Sequence, residues 1–278
     1  MSNSEKNQSV TVAATIRKAA SAALLAVSLL FATAIGAASS ASAQSQLENG
    51  PSALVISYKA SAENRPAFRD YLNTTHRKML DGMRKDGVLK SYRIFFSWYE
   101  QSYDWDAMVE LQFVDSDAVA VWNELVKKSP AGLTAKGLSL ATPVMTVAAD
   151  VDSHAQAQGA SDGTDAVYLV IPYTFHSTSE YRAYSRAYVL PQFEGWLKEG
   201  ALSAYEVLIN RYPAGTPWDS LIIQQYKDFR SFGQRDRVKG KVRAALKDNP
   251  EWVDFHQRKG DIREETGIAI AELVAFSE

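Results

Sequence analysis

The 278-residue chain contains no cysteine. That excludes disulfide staples, thiolate metal centres, iron–sulfur clusters, a cysteine nucleophile and a lipid-modified cysteine. Histidine is nearly as scarce: His76, His154, His176 and His256 are the whole supply. No two of them stand at His-x-His or His-Glu-x-x-His spacing, so no metal site is expected. No G-x-G-x-x-G and no P-loop pattern occurs, which leaves nucleotide chemistry without a motif. Neither charge sign is in excess, with 30 Lys and Arg against 32 Asp and Glu, so nothing draws the chain to nucleic acid or anionic lipid. What is present is a globular composition, 46% apolar, rich in aromatic residues.

The first 43 residues read as a signal peptide. Lys6, Arg17 and Lys18 form a positive start, Ala19 to Ala38 is uncharged, and Ala41-Ser42-Ala43 is a small-x-small cleavage pattern. A transmembrane anchor is the competing reading, disfavoured by the Ala- and Ser-rich composition and the cleavage pattern. The expected location is periplasmic or secreted, with no membrane attachment after cleavage.

The remainder is duplicated. Displaced by 113 residues, Phe68–Asp115 falls on Tyr181–Asp228 without a gap. Arg69/Arg182, Tyr71/Tyr184, Gly82/Gly195, Gly87/Gly200, Tyr92/Tyr205, Trp105/Trp218, Asp106/Asp219 and Asp115/Asp228 are among the identical pairs. Each copy opens with a β-branched and aromatic run, Ala53–Tyr58 or Ala166–Tyr173. A helix follows, its apolar stripe in the first copy spaced as Phe68, Leu72, Thr75, Met79 and Met83 and ended by Gly87. The second copy's helix ends at Gly200, with a kink expected at Pro191. Two further strands, a second helix and a last strand complete a β-α-β-β-α-β series in each copy. The expected divisions are residues 51–150 and 166–278, joined by a polar linker over 151–165. A Gly159-Ala-Ser-Asp-Gly163 match to the hydrolase elbow falls in that linker, where it lacks the strand and helix it needs.

A tandem of such units, with Tyr92 and Tyr205 on the second strands and Trp105-Asp106 and Trp218-Asp219 opening the third, resembles the dimeric α+β barrel superfamily. The resemblance implies an α+β protein in which two ferredoxin-like units pair their sheets into one barrel, and because the duplication supplies both units within one chain a monomer is expected. No family-specific catalytic motif matches, so it carries no residue roles.

Candidate site residues follow from strand alternation. If the Trp98–Trp105 hairpin is in simple register, Arg93 lies opposite Glu110, and Arg93, Glu110 and Gln112 face into the barrel. Glu206 and Gln225 share the matching face of the second copy, with Ile223 opposite Glu206. Such a group can orient a polar ligand or form a plain cross-strand ion pair. His76 borders its helix's apolar stripe, and general base, haem ligand and satisfied core histidine are all open for it. The charged segment Lys239–Glu265, broken at Asn249-Pro250, is the largest asymmetry between the copies, with Trp252 and Phe255 expected to anchor a cover over one barrel end. Two functional classes remain. One is a barrel binding a small aromatic or apolar molecule, with cofactor-independent acid–base catalysis as an extension and a haem held by one histidine as the cofactor alternative. The other is a non-catalytic scaffold or binding module.

Overall fold

β-Branched and aromatic alternation sets the strands, and capped amphipathic segments set the helices. The computed structural model of the protein describes residues 53–100 and 105–277; the expected signal peptide lies outside them. The first copy runs β1 (Ala53–Ala60), a long helix α1, β2 (Leu89–Ser97), β3 (Ala107–Phe113), α2 (Ser116–Val126), α3 (Ala135–Leu140) and β4 (Ala141–Gln156). The second runs β5 (Val167–Phe175), a long helix α4, β6 (Ala204–Asn210), β7 (Ser220–Tyr226), α5 (Phe229–Gly233), α6 (Arg235–Leu246), α7 (Pro250–Ile262), β8 (Arg263–Glu265) and β9 (Ala269–Ser277). Helices α2 and α5 start at matching places because Asp115 and Asp228 each accept a hydrogen bond from the backbone N–H three residues on. Among the described residues, no helix is long and apolar enough to cross a membrane.

Every strand pairing is antiparallel. The first copy's sheet is ordered β4-β1-β3-β2 and the second's β9-β5-β7-β6. Two seams join them, β2 against β9 and β4 against β6, and together they close a barrel that, among the described strands, leaves only β8 outside the ring. Closure removes the exposed sheet edges. One face of each sheet packs against its helices, joining Tyr58 and Tyr92 to Leu72 and Trp122 in the first copy and Tyr205 to Tyr181, Phe193 and Trp252 in the second. The opposite faces fill the barrel with Val55, Phe95, Met108, Tyr168, Leu208 and Leu273.

Several expectations need correction. The linker begins after Gln156, because residues 151–156 continue β4 and pair with β6, where their backbone groups find partners. Each long helix contains a π-helical turn. Helix α1 is Arg65–Tyr71, the π turn Leu72–His76, and Arg77–Lys85; α4 is Thr178–Tyr184, the π turn Ser185–Val189, and Leu190–Lys198. The segments match position for position, so the turn belongs to the duplicated fold and Pro191 is not its cause. The extra residue moves the stripe by one: His76 is buried and Thr75 is exposed. Trp98 lies beyond β2 and packs on Phe229 of the second copy, its ring centroid 5.8 Å away. Helix α7 covers no barrel end. Trp252 stacks on Tyr188 at 5.1 Å, and Phe255 meets Tyr184 edge-on at 6.2 Å, against the outer side of α4.

Candidate functional site

The expected polar group forms inside the barrel. Arg93 pairs with Glu110 across the β2–β3 hairpin in the predicted register, with Nε donating to a Glu110 oxygen at 2.9 Å. The same guanidinium is ion-paired to Glu206 of β6. Gln112 bridges the two carboxylates, donating to Glu110 at 3.0 Å and Glu206 at 3.2 Å. Burial opposes the Arg93 charge, but Glu110 and Asp162 more than offset it and hold its pKa above the ordinary value. Gln225 lies beside this group and donates to the Ser161 carbonyl at 2.8 Å. The adjoining cavity, bordered by Arg93, His154, Asp162, Glu206 and Gln225, holds only about 70 Å³. Its geometry is that of a clasp. Arg93 and Glu206 occupy equivalent places in the two copies, 113 residues apart, so they meet where the two copies come together.

His76 is elsewhere. It is buried between α1 and the loop at Gly132, with Tyr58 and Tyr71 rings at 6.4 and 6.3 Å. Burial lowers its pKa to about 4, against a smaller opposing effect of the Gly132 backbone. Neither ring nitrogen has a hydrogen-bond partner among the described residues, and the residue lines neither of the two larger cavities. No group of His, Asp and Glu able to hold a metal ion occurs among the described residues, and no histidine lines those two cavities, so the lining does not fit a haem held by histidine.

Sequence reasoning missed the more developed site, a cavity of about 250 Å³ between the second copy's sheet and helices α4 and α6. Its floor comes from β5 and β7, with Tyr173, Ile222 and Gln224; its wall comes from α4, with Tyr181, Tyr184, Tyr188 and Gln192. The corresponding layer of the first copy also buries Tyr58, Tyr71 and His76, but it is apolar at three places where the second copy is polar. Leu111 stands where the second copy has Gln224, Met79 where it has Gln192, and Phe68 where it has Tyr181. Gln224 and Gln192 are nevertheless 2% and 4% exposed. Burying amides in place of hydrocarbon costs stability unless their bonds are made. Gln224 accepts from the Tyr226 hydroxyl at 2.7 Å, and Gln192 accepts from Arg243 at 2.8 Å.

The cavity is also cationic. Arg235, Lys239 and Arg243 recur every fourth residue along α6 and so present one face, and Arg263 enters from β8. Among the described residues, Glu265 is the one carboxylate in the lining. Desolvation, with Arg243 and Arg235 nearby, lowers the Lys239 pKa. Two buried donors in the lining residues, Arg235 Nε and Trp196 Nε1, have no partner. Burial raises the pKa values of Tyr173, Tyr181 and Tyr184, so these phenols stay protonated and act as donors. Duplication supplied the signal that could have found the site: positions apolar in one copy and polar in the other.

The architecture matches solved structures of one fold class. A candidate monooxygenase from Lactobacillus acidophilus NCFM superposes with a TM-score of 0.52 at 10% identity, covering 82% of this chain and 96% of its own. A second, from Fusobacterium nucleatum subsp. nucleatum, gives 0.54 at 11% identity, covering 83% and 95%. No family model matches the chain, and no curated protein does. At these identities the likeness is one of fold: the protein is a dimeric α+β barrel with both halves on one chain.

Proposed function

We propose that the protein is an exported barrel that binds a small aromatic anion in the helix–sheet cavity of its second copy. One observation carries this reading. The second copy sets Gln224, Gln192 and Tyr181 where the first has Leu111, Met79 and Phe68, adds a stripe of cations, and keeps about 250 Å³ open. Tyrosine rings offer stacking surfaces and phenol donors, while an anion would relieve the repulsion among Arg235, Lys239 and Arg243. The fold is shared with candidate monooxygenases, which supports a small-molecule role. Acid–base turnover of the bound molecule is a second reading, favoured by Lys239, which lines the cavity and whose pKa is lowered by burial and by the neighbouring Arg243 and Arg235. Export rests on the amino-terminal sequence alone. Amino-terminal sequencing of the protein recovered outside the cytoplasm checks it, and cytoplasmic retention with Met1 intact would count against it.

Calorimetric titration with 2-naphthoate tests the binding. The wild type is expected to bind, Arg243→Met to bind about tenfold more weakly, and Gln224→Leu, which restores the first copy's residue, to bind more weakly as well. Equal affinity in all three proteins would sink the reading.

A further inference from the structure

We propose that the end of the barrel beneath Trp105 and Trp218 is a second binding site, for a small uncharged ring compound carrying one hydroxyl or carbonyl. A cavity of about 270 Å³ lies there, separate in character from the cationic one. Its lining is built from matched residues of the two copies. Trp105 and Trp218 are equivalent, as are Met108 and Leu221, and their strand partners Ser57 and Pro172 face each other likewise. Val144 and Met145 of β4 complete one side, and Ala269 of β9 the other. Among the described residues, no charged side chain lines it.

The interior is packed shut beyond this cavity. Phe95 and Tyr168 meet edge-on at 5.2 Å among Val55, Leu208 and Leu273, which sets the cavity apart from the Arg93 clasp. Its mouth reaches solvent at Val144, which is 53% exposed. Cavities of about 150 Å³ lined by hydrocarbon hold a benzene, so this one has room for two fused rings. The polar requirement comes from Ser57. Its hydroxyl is buried in the lining and has no hydrogen-bond partner among the described residues. A ligand hydroxyl or carbonyl would supply that bond, whereas a charged group would lose its hydration with nothing to compensate it. The ligand class is therefore opposite in charge requirement to that of the helix–sheet cavity.

Methionine-methyl NMR of the whole protein, with 2-naphthol as the probe, tests this. The Met108 and Met145 methyl signals are expected to shift on titration, and those of Met79 and Met83, on the first copy's helix, to stay in place. Met108→Trp fills the cavity and is expected to weaken binding at least about tenfold. Val144→Trp closes the mouth from an exposed position, so its loss of binding cannot be ascribed to misfolding. Ser57→Ala is expected to weaken 2-naphthol about three- to tenfold and leave naphthalene unaffected. Shifts confined to Met79 and Met83, no shift at saturation, or unchanged affinity in both filled variants would overturn the proposal. So would displacement of 2-naphthol by 2-naphthoate together with weakening by Gln224→Leu, because the probe would then sit in the other cavity. Failure of 2-naphthoate to bind anywhere would count only against the anion site.

Discussion

At the residue scale, Arg93 and His76 are buried titratable groups with opposite solutions to burial. Arg93 keeps its charge because Glu110 and Glu206 are ion-paired to it, and Gln112 ties those two carboxylates together. Arg93→Ala leaves Glu110 and Glu206 buried together without a cation, and stability should fall by about 3–5 kcal/mol. Combining Arg93→Met with Glu110→Gln and Glu206→Gln removes all three charges and should recover most of that loss. Urea denaturation of the two variants measures the difference, and equal losses would mean that the charges are not coupled. His76 instead gives up its charge. Its folded pKa of about 4 lies below the unfolded value, so between the two the unfolded chain binds more protons. Stability is then full above about pH 6.5 and is lost as pH falls towards 4, by on the order of 3 kcal/mol. His76→Val, which copies Val189 of the second repeat, should flatten that dependence. An unchanged slope between pH 7 and 4 would place the loss at other groups.

At the element scale, the same glycine does different work in the two copies. Gly195 lies where α4 meets α6, and a Cβ there would stand 2.5 Å from a Val242 methyl. Gly82, its equivalent in α1, has nothing within 4 Å of that position. Gly195→Ala should therefore push α6 away, cost about 1–3 kcal/mol and weaken 2-naphthoate binding, since α6 carries Arg235, Lys239 and Arg243. Gly82→Ala should stabilise by about 0.5–1 kcal/mol through helix propensity. Thermal unfolding of both variants is the check, and the same sign for both would refute it. The repeat register and the Arg93–Glu110 pairing were legible in the sequence because strand alternation and hairpin spacing are local rules. Trp-Asp at the start of the third strands also had its shared meaning in the fold. Asp106 and Asp219 accept from the backbone N–H groups of Ala60 and Phe175 at the ends of the opening strands. The π turns were not legible, since a one-residue bulge changes no composition and displaced only Thr75 from the expected stripe. The continuation of β4 past residue 150 was hidden because Ala, Asp, Ser and Gln have low strand propensity, and pairing with β6 overrides it. The helix–sheet cavity left only a partial mark, the exchange of Leu111 and Met79 for Gln224 and Gln192 between the copies, and such an exchange does not distinguish a filled layer from an open one.

At the scale of the whole molecule, duplication within one chain permits an interior that a symmetric dimer cannot have. In a dimer of identical units, equivalent positions meet themselves. Two copies of the first unit would set Arg93 against Arg93, and two of the second Glu206 against Glu206. In the fused chain Arg93 meets Glu206, so the interface favours the unlike pairing and penalises both like ones. The two seams and the shared interior already satisfy both sheets, which leads us to propose that the chain closes its own barrel as a monomer. The linker after Gln156 then serves to hold the halves at high local concentration and adds little to the contact itself. Residues 51–156 and 165–278, produced as separate polypeptides and mixed, should assemble one to one, with the first half alone and the second half alone failing to form stable homodimers. Replacing Arg93 by Glu in the first half should abolish that assembly, and adding Glu206→Arg in the second half should restore part of it. Sedimentation equilibrium of the mixtures decides the matter. Stable homodimers of either half, or assembly indifferent to the charge at position 93, would show that the barrel's pairing is set by shape alone.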